Sequence, residues 1–142
     1  MEKKVLHGLC ACSLFQGMSS EEINHLMSLV GYKLVSYKKK DIYLLAGMPC
    51  KFADIVIEGQ LVARMVSLSG KSVEVSRLNV GDLLSPAFIF AQDNSMPVSV
   101  ETDKPTLIFR LQPSTLKYLI DTNEIIRMNF IRNLSNINVF LT

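Results

Sequence analysis

The chain has 142 residues, a formal net charge of +2 at neutral pH and 49% hydrophobic residues. That length suits one ordinary domain with its own core, and the interspersed charges give no argument for nucleic-acid binding. No apolar run approaches the ~18 residues of a membrane helix, and no signal-peptide pattern opens the sequence, so we expect a cytoplasmic protein without membrane contact.

The first 31 residues are predicted to form an arm followed by a short helix. Ser19 and Glu22 have the spacing of a capping box, in which each side chain accepts a hydrogen bond from the other residue's backbone N–H. Ile23, Met27 and Val30 follow at helical spacing, so one face of this helix is expected to pack on the core.

Between residues 32 and 111 the pattern changes to short β-rich runs separated by turn residues. The predicted strands are 34–37, 41–45, 54–57, 61–66, 72–78, 98–101 and 106–111. Many short strands joined by tight turns are typical of a β-sandwich or barrel.

The stretch from Val73 to Val100 is the candidate binding region, because a strand, a short apolar segment, a polar loop and a returning strand would enclose a pocket. Ser85 is predicted to cap a short helix that begins at Pro86. Helix N-termini present free backbone N–H groups and bind anions readily. The architecture therefore suggests a pocket closed by a helix N-terminus.

Helical spacing returns after Leu111. Pro113 is predicted to begin one helix, and Asp121 and Thr122 are candidate caps for a second helix that runs to the end of the chain. An a/d seam of the kind that pairs two helices comprises Phe130, Leu134, Ile137 and Leu141. Ile125 and Ile131 lie off this seam. We favour dimerisation through the seam; the alternative is that this face packs only on its own domain.

Four stretches occur in an order typical of one protein family. They are residues 14–19 (LFQGMS), 37–47 (YKKKDIYLLAG), 55–61 (IVIEGQL) and 78–83 (LNVGDL). Together they resemble the cyclic-nucleotide-binding domain of the Crp/Fnr family of bacterial transcription regulators, from about residue 14 to the end. The resemblance implies a mainly β fold with flanking helices: a double-stranded β-helix (a jelly-roll-like β-roll) followed by a long C-terminal dimerisation helix.

The resemblance also implies that residues 1–142 form a single sensor domain. Residues 1–31 would be the N-terminal arm and helix, 32–111 the β-roll and 112–142 the C-terminal helices. In the family a helix-turn-helix domain that reads DNA follows the sensor, and this chain has no room for it. DNA binding is therefore expected only through a domain missing from this chain.

Residues 85–97 align with the family's phosphate-binding cassette (hereafter the cassette) and depart from its pattern at the ligand-binding positions. Nucleotide-binding members of the family carry Gly-Glu-Leu, whose Glu accepts a hydrogen bond from the ribose hydroxyl. About nine residues later they carry an Arg, which pairs with the cyclic phosphate, followed by Ser or Thr. An ungapped alignment places Ser85, Pro86 and Ala87 at the first three positions, and Met96 and Pro97 at the last two. Since no neutral group replaces an Arg–phosphate contact, we expect no binding of cAMP or cGMP.

The predicted pocket comprises Leu84, Ser85, Pro86, Ala87, Phe88, Met96, Pro97 and Val98. Either its own side chains fill it, which leaves a ligand-free dimerisation scaffold, or it accepts an apolar or weakly polar effector. Ser85, Ser95 and Ser99 would orient such an effector. No cofactor is expected, and the identity of the effector stays open.

The sequence argues against two other classes of function. A cupin-like enzyme needs metal-binding histidines on its strands, but His7 and His25 are the only histidines and both precede the strands. We therefore expect no catalytic residues and no metal site. A redox or iron–sulfur sensor, as in the Fnr branch, would use Cys10 and Cys12, with Cys50 on a turn, but three cysteines are too few for that role. An odd number of cysteines also makes a disulfide framework unlikely.

Overall fold

A computed structural model describes the backbone of residues 1–141 and the side chains of residues 1–137. Helices α1 (Lys3–Cys10) and α2 (Ser20–Ser28) lie on either side of a 3-10 turn (Ser13–Phe15), and α3 (Pro113–Thr122) and α4 (Glu124–Leu141) follow the strands. The strands between them are β1 (Lys33–Tyr37), β2 (Ile42–Leu44), β3 (Ala53–Glu58), β4 (Leu61–Val66), β5 (Ser72–Leu78), β6 (Ser99–Thr102) and β7 (Thr106–Leu111).

The strands form two antiparallel sheets. One sheet has the order β1-β7-β3 and the other the order β2-β6-β4-β5. Each of the predicted strands is present, and three of them (61–66, 72–78 and 106–111) have the predicted bounds. The mainly β fold with flanking helices that the sequence predicts is therefore confirmed.

Two apolar clusters hold the layers together, and β3 contributes to both. Ile55 and Ile57 pack with the helices in the first cluster, whereas Val56 packs between the sheets in the second. Successive side chains of a strand point to opposite faces, so a strand buried on both faces reads as a continuous apolar run. In β3 that run is interrupted by one charged residue, Asp54, which is fully buried.

Helix starts follow the sequence in two cases and differ in a third. The capping box of α2 forms, because Ser19 Oγ accepts from the Glu22 N–H and Glu22 Oε1 accepts from the Ser19 N–H, each at 3.1 Å. Pro113 begins α3, as predicted. The cap of α4 is Asn123 rather than Asp121 or Thr122, since Asn123 Oδ1 accepts from the Ile126 N–H at 3.0 Å. Within the described part of the chain, no helix combines the length and apolar character that crossing a membrane requires.

Candidate functional site

A buried network of charged and aromatic side chains joins β3 to β7 inside the roll. Asp54 and Arg110 face each other across the two strands. Arg110 Nε donates to Asp54 Oδ1 at 2.9 Å, and Arg110 Nη2 donates to Asp54 Oδ2 at 2.9 Å. Tyr43 Oη also donates to Asp54 Oδ2, and Arg110 Nη2 donates to Tyr37 Oη at 3.1 Å. The carboxylate is therefore satisfied by two different side chains.

The environment fixes the protonation states of this network. Burial, reinforced by the negative charge of Asp54, raises the pKa of Tyr43, so its phenol stays neutral and keeps the proton that it donates. Burial alone would lower the pKa of Arg110, but the hydrogen bonds and charge of Asp54 outweigh burial and raise it. The guanidinium also lies over the Phe52 ring, 4.1 Å from its centroid, where the ring face attracts a cation.

A cavity of about 230 Å³ opens beside this network. Its lining includes Arg110, Tyr37 and Tyr43 of the network. The rest of the lining is mostly apolar and comprises Leu44, Met48, Pro49, Cys50, Lys51, Phe52, Leu84, Ser85 and Met96. A mostly apolar cavity with a few placed polar groups is the usual form of a small-molecule site. We take this cavity, hereafter the Arg110 cavity, as the candidate functional site.

Backbone hydrogen bonds hold the rim of the Arg110 cavity. The Met96 N–H donates to Met48 O at 2.9 Å, and the Gly47 N–H donates to Met96 O at 2.8 Å. The Cys50 N–H donates to Asn94 O at 2.9 Å, and Asn94 Nδ2 donates back to Cys50 O at 3.0 Å. Two distant segments of the chain are thereby tied together, so the cavity is formed before any ligand arrives.

Comparison with solved structures shows which known fold this is. No protein-family profile matches the chain, and no curated protein does. A transcriptional regulator from Thermotoga maritima is 20% identical, with a TM-score of 0.75 over 84% of this chain and 91% of that one. The sensor domain of the transcriptional regulator DNR from Pseudomonas aeruginosa is 18% identical, with a TM-score of 0.75 over 96% and 91%. This chain has the sensor-domain fold. It covers only 61% of the catabolite activator protein of Thermus thermophilus, which is 18% identical, with a TM-score of 0.74 over 91% of this chain.

At the start of the sensor-domain cassette the backbone differs from the predicted helix. Residues 86–90 form successive turns, and Ser85 has a φ of +53°. An N-cap residue has extended backbone, so Ser85 in the left-handed region cannot cap a helix at Pro86. The predicted anion site at a helix N-terminus is therefore wrong. A turn in which the Phe88 N–H donates to Ser85 O at 2.9 Å takes its place.

The predicted pocket residues separate into different surroundings. Leu84, Ser85 and Met96 line the Arg110 cavity. Pro86 instead borders a depression against α4, and Pro97 borders a groove with Ser99 on the four-stranded sheet. The remaining three lie elsewhere: Val98 packs on the inter-sheet cluster, Ala87 is exposed and Phe88 is half-buried in the turn. One continuous pocket through all eight residues does not form.

The predicted helix seam faces the chain's own domain at its start. Phe130 is 5% exposed, belongs to the core and meets the Phe90 ring edge-on, with 5.7 Å between centroids. Leu134 packs against the same core, Ile137 is half-buried beside the cassette, and the side chain of Leu141 lies outside the described residues. The alternative interpretation, packing on the domain itself, therefore describes Phe130 and Leu134.

The cysteines do not form a metal or cluster site in the part of the chain whose side chains are described. Cys10 is exposed, Cys12 is buried and Cys50 is half-buried. Burial raises the pKa of Cys12 to about 12, which disfavours the thiolate that a metal needs. No group of three or more His, Cys, Asp or Glu side chains comes together among these residues.

Sequence reasoning missed the Asp54–Arg110 pair, although the sequence contains a signal for it. Asp54 interrupts the apolar run 53–57, and Arg110 interrupts the apolar run 107–111. Charged residues are rarely buried unless they are paired. Opposite charges in two strands that both read as buried therefore indicate that these strands are neighbours.

Proposed function

We propose that this chain is the effector-sensing and dimerisation domain of a Crp/Fnr-like transcription regulator and that it does not bind cAMP. The sensor-domain fold supports the first part. Met96, which is 6% exposed and stands where the family's phosphate-binding Arg would be, carries the second. DNA recognition belongs, in this proposal, to a separate helix-turn-helix domain.

The charges of the described residues support the absence of nucleotide binding. The cassette itself has no Arg between Arg77 and Arg110. Arg77 lies on β5 and is held by Glu74 and Asp103, and Arg110 is held by Asp54. Residues 85–97 contain no Lys or Arg. A cyclic phosphate buried against them would lose its hydration without a cationic partner from the cassette, which is strongly unfavourable. Pro86 also lacks the backbone N–H that another residue would offer there.

Thermal unfolding with cyclic nucleotides tests this proposal. A ligand that binds only the folded state raises the unfolding midpoint by mass action. We expect no change with cAMP or cGMP at millimolar concentration, with a cAMP-binding domain of the same fold measured in parallel as the control. A saturable rise of the midpoint with either nucleotide would overturn the proposal.

A ligand-free scaffold is the second candidate, and one observation favours it. Apolar side chains fill the space between the two sheets. They include Val56, Leu61, Ala63, Leu84, Val100 and Ile108, all at most 4% exposed. This packing fills most of the space between the sheets and leaves the Arg110 cavity at the edge of the cluster. A domain that forms dimers, and whose unfolding midpoint is raised by no class of ligand, would favour the scaffold.

For dimerisation we propose the outward face of α4. Ile125, Met128 and Ile131 are 40%, 45% and 47% exposed, and they recur every three residues on the side away from the core. A partner that covers this face would bury the apolar surface that these three side chains expose.

Sedimentation equilibrium tests the dimer. We expect Ile131→Asp to weaken association at least about tenfold, because a charge would be buried at the centre of the interface. Leu68→Asp, in the exposed turn between β4 and β5, is the matched control and is expected to associate like the unsubstituted chain. An unchanged dimer in Ile131→Asp would place the interface elsewhere.

A further inference from the structure

We propose that the Arg110 cavity binds a small apolar monocarboxylate, whose carboxylate is held by Arg110 Nη1. The inference rests on the proposed effector-sensing function and names the chemical class of the effector. Of the three guanidinium nitrogens, Nε and Nη2 are occupied by Asp54 and Tyr37. Nη1 has no hydrogen-bond partner among the residues whose side chains are described, although Arg110 is only 16% exposed.

A guanidinium in this position is already oriented for a ligand. Asp54 fixes one edge of the group, and the Phe52 ring covers one of its faces. The Nη1 end, with two N–H donors, remains for a further acceptor. Because the side chain is held in place before binding, little conformational entropy is lost when a carboxylate arrives.

The charges around the cavity favour one negative charge. Asp54 neutralises Arg110, and Lys51, which is exposed and forms no ion pair among the described residues, contributes one positive charge in excess. A monocarboxylate would balance that charge. A phosphate dianion or a dicarboxylate would exceed it.

The size and lining of the cavity define the rest of the ligand. Its volume of about 230 Å³ is below the ~300–1,000 Å³ of ordinary ligand pockets. The body of the ligand would lie against Leu44, Met48 and Met96, and methionine adapts its shape to irregular apolar partners. Short aliphatic and single-ring carboxylates fit this description.

Arg110 also borders a second depression, and its lining differs. That depression is formed with Gly31, Tyr32, Lys33, Gln112 and Thr115. Unlike the Arg110 cavity, this depression has no cysteine in its lining. The experiment must therefore report which side of Arg110 a carboxylate occupies.

The alkylation rate of Cys50 shows which side is occupied, because Cys50 lines the Arg110 cavity. Cys10 is exposed at the end of α1 and serves as an internal control. We expect benzoate or octanoate to raise the unfolding midpoint saturably and to slow alkylation of Cys50 severalfold, with alkylation of Cys10 unchanged. Benzamide, which is neutral, is expected to do neither at the same concentration.

Two matched pairs of variants test the cavity and the charge separately. Cys50→Phe fills the cavity and is expected to abolish the midpoint shift with benzoate, whereas Cys10→Phe keeps it. Lys51→Glu is expected to weaken benzoate binding at least about tenfold, whereas Lys39→Glu, at another exposed lysine, leaves it unchanged. Each variant is first compared with the unsubstituted chain by circular dichroism and unfolding midpoint.

The outcomes separate this inference from the proposed function. If neither carboxylate shifts the midpoint or protects Cys50, the inference is wrong. An unfolding midpoint that cAMP does not change would still support the proposed function. Equal binding of benzamide would remove the role of Arg110 Nη1. A midpoint shift without Cys50 protection would place the ligand in the second depression. Binding of cAMP would instead overturn the proposed function itself.

Discussion

Removing the positive partner of the buried ion pair should destabilise the domain strongly. In Arg110→Met, the Asp54 carboxylate stays fully buried and loses three of its hydrogen bonds from the guanidinium, keeping only that of Tyr43. Breaking a buried pair by removing one partner costs about 3–5 kcal/mol. With an unfolding entropy of ~2.1 cal/mol/K per residue, that cost lowers the midpoint of a chain of this length by about 10–17 °C.

Two further variants decide whether the lost pair is the cause. Arg64 pairs with Glu101 at 2.7 Å, but these side chains are 35% and 42% exposed. We expect Arg64→Met to cost at most about 1 kcal/mol, as exposed pairs do. The double variant Asp54→Leu/Arg110→Met is expected to be more stable than Arg110→Met, because replacing both charges leaves no buried charge unpaired. It should not recover the whole loss, because the Tyr43 hydroxyl loses its acceptor.

Urea unfolding monitored by circular dichroism gives the free energies for this comparison. The reasoning is refuted if Arg110→Met is no less stable than Arg64→Met. It is also refuted if the double variant is as unstable as the single one, because the penalty would then come from lost packing rather than from an unpaired carboxylate.

Three other predictions follow from local geometry. Hydrogen bonds from the capping box lower the pKa of Glu22, so its stabilising contribution is present above the ordinary carboxyl range and is lost as the pH falls through the lowered pKa. The stability difference between the unsubstituted chain and Glu22→Gln should therefore be measurable near pH 6 and shrink steadily as the pH is lowered below the ordinary carboxyl range. Gly59→Ala should destabilise far more than Gly70→Ala: both have positive φ, costing about 1–2 kcal/mol, but a Cβ at Gly59 would lie 2.8 Å from the Cα of residue 106, while nothing lies within 4 Å of one at Gly70. Burial raises the pKa of the Cys12 thiol to about 12, so mass spectrometry should find Cys10 alkylated long before Cys12 in the folded protein, and equal rates would contradict the burial of Cys12.

Local patterns in the sequence were sufficient for most of the fold. The strand 61–66 and the capping box at Ser19 depend on neighbours in sequence, and both form as predicted. The Asp54–Arg110 contact joins residues 56 positions apart, and no local pattern specifies a contact of that range. Its location could be inferred only by asking where the charges in two buried strands find partners.

The candidate site was predicted less well, for two physical reasons. The sequence predicts a helix in the cassette because Ser and Pro are typical of a helix start, but the left-handed backbone of Ser85 redirects the chain into turns. The spacing of the helix seam predicts contact with a partner helix, but spacing cannot distinguish the apolar surface of a partner from that of the chain's own domain. In the structure Phe130 packs on its own core, and Ile131, one residue further, is exposed.

The central claim is that this sensor-domain fold has lost its nucleotide site. Amide NMR spectra of the isotope-labelled domain, recorded with and without excess cAMP, test it most directly. We expect the resonances of Ser85 and Met96 to be unchanged, because under the proposed function the buried Met96 stands where the family's phosphate-binding Arg would be. Saturable shifts confined to the cassette would contradict the claim and show that cAMP is held by other contacts.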